Sequence, residues 1–126
     1  MTRVFLADAK PEERSALRLM LQDLQMDVVG EAVNWMTVPA TAPVTHPDMV
    51  LMDLDLLPED PTAALRELRT ACLNTIVIIL IGQPNAVQKA TLSAGADGFI
   101  SNCDSPEHVA EHLVAASRNT ASCINY

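Results

Sequence analysis

The chain has 126 residues, 49% of them hydrophobic and only 3% aromatic, with a formal net charge of −8. That length and aliphatic composition suit one folded domain with a real core. The acidic balance argues against direct DNA or RNA binding by this chain, since a basic face supplies most of that affinity.

Strand-like and helix-like segments alternate from the start. "RVFLA" (Arg3–Ala7) reads as a strand and "PEERSALRLMLQDLQ" (Pro11–Gln25) as a helix, with Pro11 in the first turn and Leu17, Leu21 and Leu24 on one stripe. "DVVGEA" (Asp27–Ala32) is a second strand. Residues 33–47 occupy a helix slot but carry Pro39, Pro43 and Pro47, so a short or broken helix is expected. "DMVLMD" (Asp48–Asp53) is the third strand, and Asp60 with Pro61 caps and starts the next helix. "IVIILI" (Ile76–Ile81) is apolar on both faces, as a central parallel strand must be. "NAVQKATLSAG" reads as a helix stopped at Gly95, "GFIS" (Gly98–Ser101) as the fifth strand, and Ser105–Pro106 opens a last helix to about Arg118.

Five strands alternating with five helices describe an open, doubly wound α/β domain, whose functional groups gather beyond the carboxyl ends of the strands. Asp8 lies just after the first strand and Asp53 ends the third. Two carboxylates and a backbone carbonyl there form a hard-cation site of the Mg²⁺ type, the alternative being that strand-end acids are merely solvated. His108 and His112 stand one turn apart on the last helix without a third ligand and read as a solvated face. Trp35 and Met36 are expected to pack on the sheet, the alternative being an exposed patch for a partner. The glycines form no G-x-G-x-x-G loop, so a dinucleotide site lacks its signature. "MTRVFLA" is too short for a signal peptide, and no run is long enough to span a bilayer. Cys72, Cys103 and Cys123, odd in number and widely spaced, argue against a disulfide framework and for a reducing cytoplasm.

The segments "VFLADAKPEER", "DVVGEA", "HPDMVLMDLDLLP" and "AGADGFISNCDSPEHV" together resemble the receiver domain of two-component response regulators, over essentially the full length to about Arg118. The subgroup most resembled is the one joined to helix-turn-helix output domains. The resemblance implies a flavodoxin-like sheet of order 2-1-3-4-5 flanked by five helices, with residues 1–118 as the domain and 119–126 as a tail or the start of a linker. It implies Asp53 as phosphoacceptor, Asp8 and Asp53 as Mg²⁺ ligands with the backbone carbonyl of Asp55, and Phe99 at the switch-aromatic position. Partners implied are a histidine kinase and an output domain, with a homodimer left open, and the module is a signalling protein rather than an enzyme.

Three positions depart from the family pattern. Ala9 stands where the second acid, usually a direct metal ligand, belongs; Ile81 stands in place of a Ser or Thr donor; Asn102 replaces the lysine that pairs with the aspartyl phosphate. A neutral contact is about half as strong as a charge-assisted one, and Ile81 offers none. Ala9 removes a like charge beside Asp8 and Asp53, so the site is expected to need a cation less. Asp55 is the one candidate for compensation, against its plainer reading as a solvated turn residue, and Phe99 reads as packing because Ile81 has no reason to move. The expectation is therefore an atypical receiver in phosphorelay signalling, with weak Mg²⁺ binding and weak or no Asp53 phosphorylation, working through protein contacts. The competing reading is a conventional receiver phosphorylated on Asp53 with Mg²⁺. A remoter one is a small flavodoxin-like enzyme or cofactor binder.

Overall fold

Strands that are apolar at every position need cover on both faces. In the computed structural model, which describes residues 1–82, 95–101 and 105–124, β1 (Arg3–Ala7), β3 (Met49–Asp53) and β4 (Ile76–Ile81) fill the middle of one parallel sheet. β2 (Asp27–Ala32) and β5 (Gly98–Ser101) form its edges, in the order β2-β1-β3-β4-β5. Every residue of β3 is buried, whereas β2 keeps exposed positions. The register aligns Ala7 with Met52 and Asp53 with Leu80, so the carboxyl ends of the three central strands come level.

The described helices are α1 (Pro11–Asp23), α2 (Thr37–Thr45), α3 (Pro61–Ala71) and α4 (Pro106–Ile124), with a 3₁₀ turn at Leu54–Leu56. The helix expected between Asn85 and Gly95 lies outside the described residues. The sheet separates two cores. On one face Val38, Ala42, Leu65 and Leu68 from α2 and α3 cover Phe5, Val50, Met52 and Ile79. On the other, Leu17 and Leu21 of α1 and Val109 and Leu113 of α4 cover Val4, Leu6, Leu51 and Leu80. Each of these side chains larger than alanine contributes about 1.5–3 kcal/mol when taken from water.

The helix ends carry most of the differences from sequence expectation. α1 stops at Asp23 rather than Gln25, because Gln25 adopts a left-handed φ of 59°. Its N–H donates to the Gln22 carbonyl at 3.0 Å and that of Met26 to the Leu21 carbonyl at 2.9 Å, the paired bonds of a Schellman cap. α2 is short, as the prolines demand, yet unbroken: Pro39 falls in its first turn, where a missing N–H loses nothing, and only Pro43 lies deeper. It ends at His46, φ 50°. Trp35 packs against the α2–α3 core, but Met36 does not; it is 83% exposed. At α3, the Asp60 carboxylate accepts from Ala63 N–H at 3.2 Å, the cap and Pro61 start that were expected. α4 runs past Arg118 to Ile124, since no glycine or proline interrupts residues 119–124.

The amino end of the sheet is tied together. The backbone N–H of Arg3 donates to the Asp48 carboxylate at 2.9 Å, and its guanidinium donates to the carbonyls of Thr45 and His46 at 2.6 and 3.2 Å. Asp48 N–H returns a bond to the Arg3 carbonyl at 2.8 Å. No described helix is long and apolar enough to cross a membrane.

Candidate functional site

β1 is followed at once by Asp8, Ala9 and Lys10, and Pro11 starts α1. The helix therefore begins at the crevice above the sheet, with Glu12 and Glu13 in its first turn, where the positive end of the helix dipole favours acids. Two arginines fix α1 against β2: Arg14 pairs with Glu31 at 3.3 Å, and Arg18 meets both oxygens of that carboxylate at 2.9 and 3.1 Å. Arg14 also donates to the Asp8 carbonyl at 2.9 Å.

Asp8 and Asp53, from two neighbouring strands, come together here. One oxygen from each of Asp8, Glu13 and Asp53 lies within 4.8 Å of the others, a group of three acids able to hold a metal ion. Asp8 is fully buried. Its Oδ1 accepts from Lys10 N–H at 2.9 Å, while its Oδ2 has no hydrogen-bond partner. Burial pushes the Asp8 carboxyl up to about 6; the charges of Glu13 and Asp53 push the same way, against the Lys10 N–H.

Asp53 is 3% exposed. Its Oδ2 lies 3.2 Å from the ammonium of Lys10, and its Oδ1 accepts from Asp55 N–H at 3.3 Å as the cap of the 3₁₀ turn. The same ammonium lies 3.3 Å from Asp55 Oδ2 and 3.5 Å from Glu13 Oε2. This bond and charge from Asp53, then those from Asp55 and Glu13, hold the ammonium above its ordinary lysine range.

Two site residues escaped the sequence reading. Glu13 brings a third carboxylate beside Asp8, and its charge pushes the Asp8 carboxyl upward, opposing the relief of repulsion expected from Ala9. Lys10 brings a cation of the chain's own into the crevice, an internal ammonium that the sequence reading did not include. Their spacing was the available signal: a lysine two residues beyond the strand-end acid, and a glutamate three residues further at the start of a helix, is an (i, i+3) pair facing the crevice. Asp55 is an exposed turn residue that also reaches the ammonium.

Ile81 is 1% exposed and lies in the core on the α2–α3 face; Phe99 is partly buried against that same core. Asn102 lies outside the described residues. His108 and His112 are both exposed and join no group of three metal-capable side chains among the described residues.

The acids beyond β1 and β3 stand at the carboxyl end of a 2-1-3-4-5 parallel sheet, where open α/β domains carry their functional groups. A model of the response regulator receiver domain matches residues 4–114, and the chain belongs to that family. It is 31% identical over its whole length to a Pseudomonas aeruginosa protein described as a transcriptional regulator, covering 60% of it. It is also 31% identical to the transcriptional regulatory protein YxjL of Bacillus subtilis, over 94% of this chain and 56% of that protein. The chain thus spans rather more than half the length of these relatives. Among solved structures, the receiver domain of the response regulator NarL from Mycobacterium tuberculosis superposes with a TM-score of 0.82 at 21% identity, over 93% of this chain and 96% of that one. A LuxR-family response regulator from Aurantimonas gives 0.81 at 25% identity, over 94% and 87%. Receiver domains are signalling modules, and this chain is a receiver domain of a two-component response regulator.

Proposed function

We propose that this receiver is atypical: it works through contacts with protein partners, and phosphoryl uptake at Asp53 is slow or absent. The observation that carries this reading is the engagement of both Asp53 oxygens, one by the Lys10 ammonium and the other by Asp55 N–H, in a carboxylate that is almost wholly buried. A carboxylate nucleophile must present a lone pair to phosphorus while other groups neutralise the phosphoryl oxygens. Ile81 supplies no hydroxyl and Asn102 no ammonium for those oxygens, and Phe99 then acts as packing rather than as a switch.

The donor set fits a hard divalent cation, because three acid oxygens converge and the buried Asp8 Oδ2 lacks a partner. Asp8, Glu13 and Asp53 would hold Mg²⁺, with the Asp55 carbonyl as a further ligand by family analogy. When bound, the ion supplies charge neutralisation at the phosphoryl group. With the ammonium already seated there, Mg²⁺ binding is weak. The same acid group favours the second reading, a conventional receiver in which Asp53 is phosphorylated with Mg²⁺.

The partners proposed are a histidine kinase and an output domain, with residues 1–118 as the receiver unit and 119–126 as tail or linker, in the cytoplasm. The acidic charge of this chain assigns any DNA contact to another domain.

Mass spectrometry after incubation with a small phosphodonor and Mg²⁺ separates the two readings. The native chain is expected to gain little phosphoryl mass. Ala9→Asp, Ile81→Thr and Asn102→Lys together should raise uptake at least tenfold, more than the single changes sum to, since all three act on one site. Asp53→Asn in that background should abolish it. A native chain that labels as fast as the triple variant establishes the conventional receiver instead.

A further inference from the structure

Lys10 and a divalent cation would use the same acids. The ammonium touches Glu13 at 3.5 Å and Asp53 at 3.2 Å, and these two, with Asp8, are the three whose oxygens converge within 4.8 Å. Asp8, the third, is fully buried with Oδ2 unpartnered, so the pocket retains an unmet demand for a ligand that the ammonium does not satisfy. A divalent ion among these oxygens would sit within a few ångströms of a like charge and be repelled by it. The Lys10 side chain is 53% exposed and can swing out; Asp53 cannot.

We propose that Lys10 is a resident counter-ion that competes with divalent cations for Glu13 and Asp53, and that Glu13 replaces the carboxylate missing at Ala9 as a metal ligand. The site then has two alternative occupants, an internal monovalent cation and an external divalent one. Metal binding is gated by release of a side chain rather than set by ligand number alone. The inference concerns the site of the proposed function but rests on carboxylate geometry, not on phosphoryl chemistry, so it stands or falls without any phosphodonor present.

The test is calorimetric titration with Mg²⁺, and electron paramagnetic resonance of free Mn²⁺, on the native chain and four variants, with no phosphodonor. Lys10→Met and Lys10→Gln, both changes at an exposed side chain, are expected to tighten divalent binding about tenfold or more, the loss of a unit like charge from the site. Lys10→Arg, which keeps the charge, should stay near native affinity. Adding Glu13→Gln to Lys10→Met should reverse the gain about tenfold. Divalent affinity in both Lys10→Met and Lys10→Gln within twofold of native overturns the competition. If the gain survives Glu13→Gln undiminished, Glu13 is not the ligand. Because phosphoryl uptake is measured separately, a native chain that labels rapidly refutes the proposed function without touching this result, and the reverse holds equally.

Discussion

An aspartate with one oxygen bonded and the other sealed from both water and partner is a poor anion. Asp8 is that residue, with its carboxyl pushed up to about 6 from an ordinary value of 3.8. The unfolded chain therefore releases this proton near pH 4 and the folded chain near pH 6. Between those values the native state holds more protons, so its stability falls as pH rises through the window and levels off above it. The loss is up to about 3 kcal/mol, the equivalent of two pKa units. Asp8→Asn should remove that part of the slope and be more stable than the native chain at pH 7, while the two converge at pH 4. Urea unfolding at both values measures it; a native chain that gains on the variant between pH 4 and pH 7 contradicts the assignment. Mg²⁺ should narrow the gap at pH 7, since a ligand of the folded state alone stabilises it. How much of this site could be read beforehand differs by residue. Asp8 and Asp53 were legible because a strand's last position dictates which end of the sheet it occupies. Lys10 and Glu13 offered only the weaker signal of their (i, i+3) spacing, because where long, flexible side chains settle across a crevice also depends on χ angles.

Helix termini obey the same division. The start of α3 was plain, since Asp-Pro carries its own geometry, whereas the end of α1 was hidden: Gln25 takes the left-handed conformation that glycine would advertise. A non-glycine residue there costs about 1–2 kcal/mol. Gln25→Gly should thus raise the unfolding free energy by about 0.5–1 kcal/mol once the extra entropy of glycine is subtracted, read as a higher denaturation midpoint at unchanged slope. The opposite sign is expected at Gly95. A Cβ built there would meet Leu65 Cβ at 2.6 Å, backbone-proximal atoms that cannot move aside, so Gly95→Ala should lower stability by about 1–3 kcal/mol. Equal midpoints for Gly95→Ala and the native chain would mean that the close approach of this turn to α3 relaxes freely. The all-apolar β3 and β4 were legible as central strands for a simple reason: burial on both faces erases the alternation that half-buried strands keep.

The sheet divides the domain into two cores that share no side chain. Ile81 and Phe99 belong to the one beneath α2 and α3, as do Met52 and Leu54 on either side of Asp53, whereas Leu80, its partner on β4, belongs to the other. On the proposed reading, with a buried isoleucine at the end of β4 and no hydroxyl there, a charge change at Asp53 would have no direct lever on Phe99. Hydrogen exchange across β4, β5 and the start of α4 is therefore expected to be the same with and without a small phosphodonor and Mg²⁺. A several-fold slowing confined to those segments would point to a working switch. Core truncations on opposite faces, such as Leu68→Ala and Leu113→Ala, should add in their effects on stability, each about 2–5 kcal/mol. The bonds that Arg3 makes at the other end of the sheet set the limits of motion for the whole. Its backbone and guanidinium bind β1 to the loop that leads into β3, as a spine binds pages. Together with the β1–β3 ladder these bonds oppose any sliding of one strand past the other. Binding in the crevice is therefore expected to leave the pairing of β1 with β3 unchanged, a result that hydrogen exchange along those two strands would read.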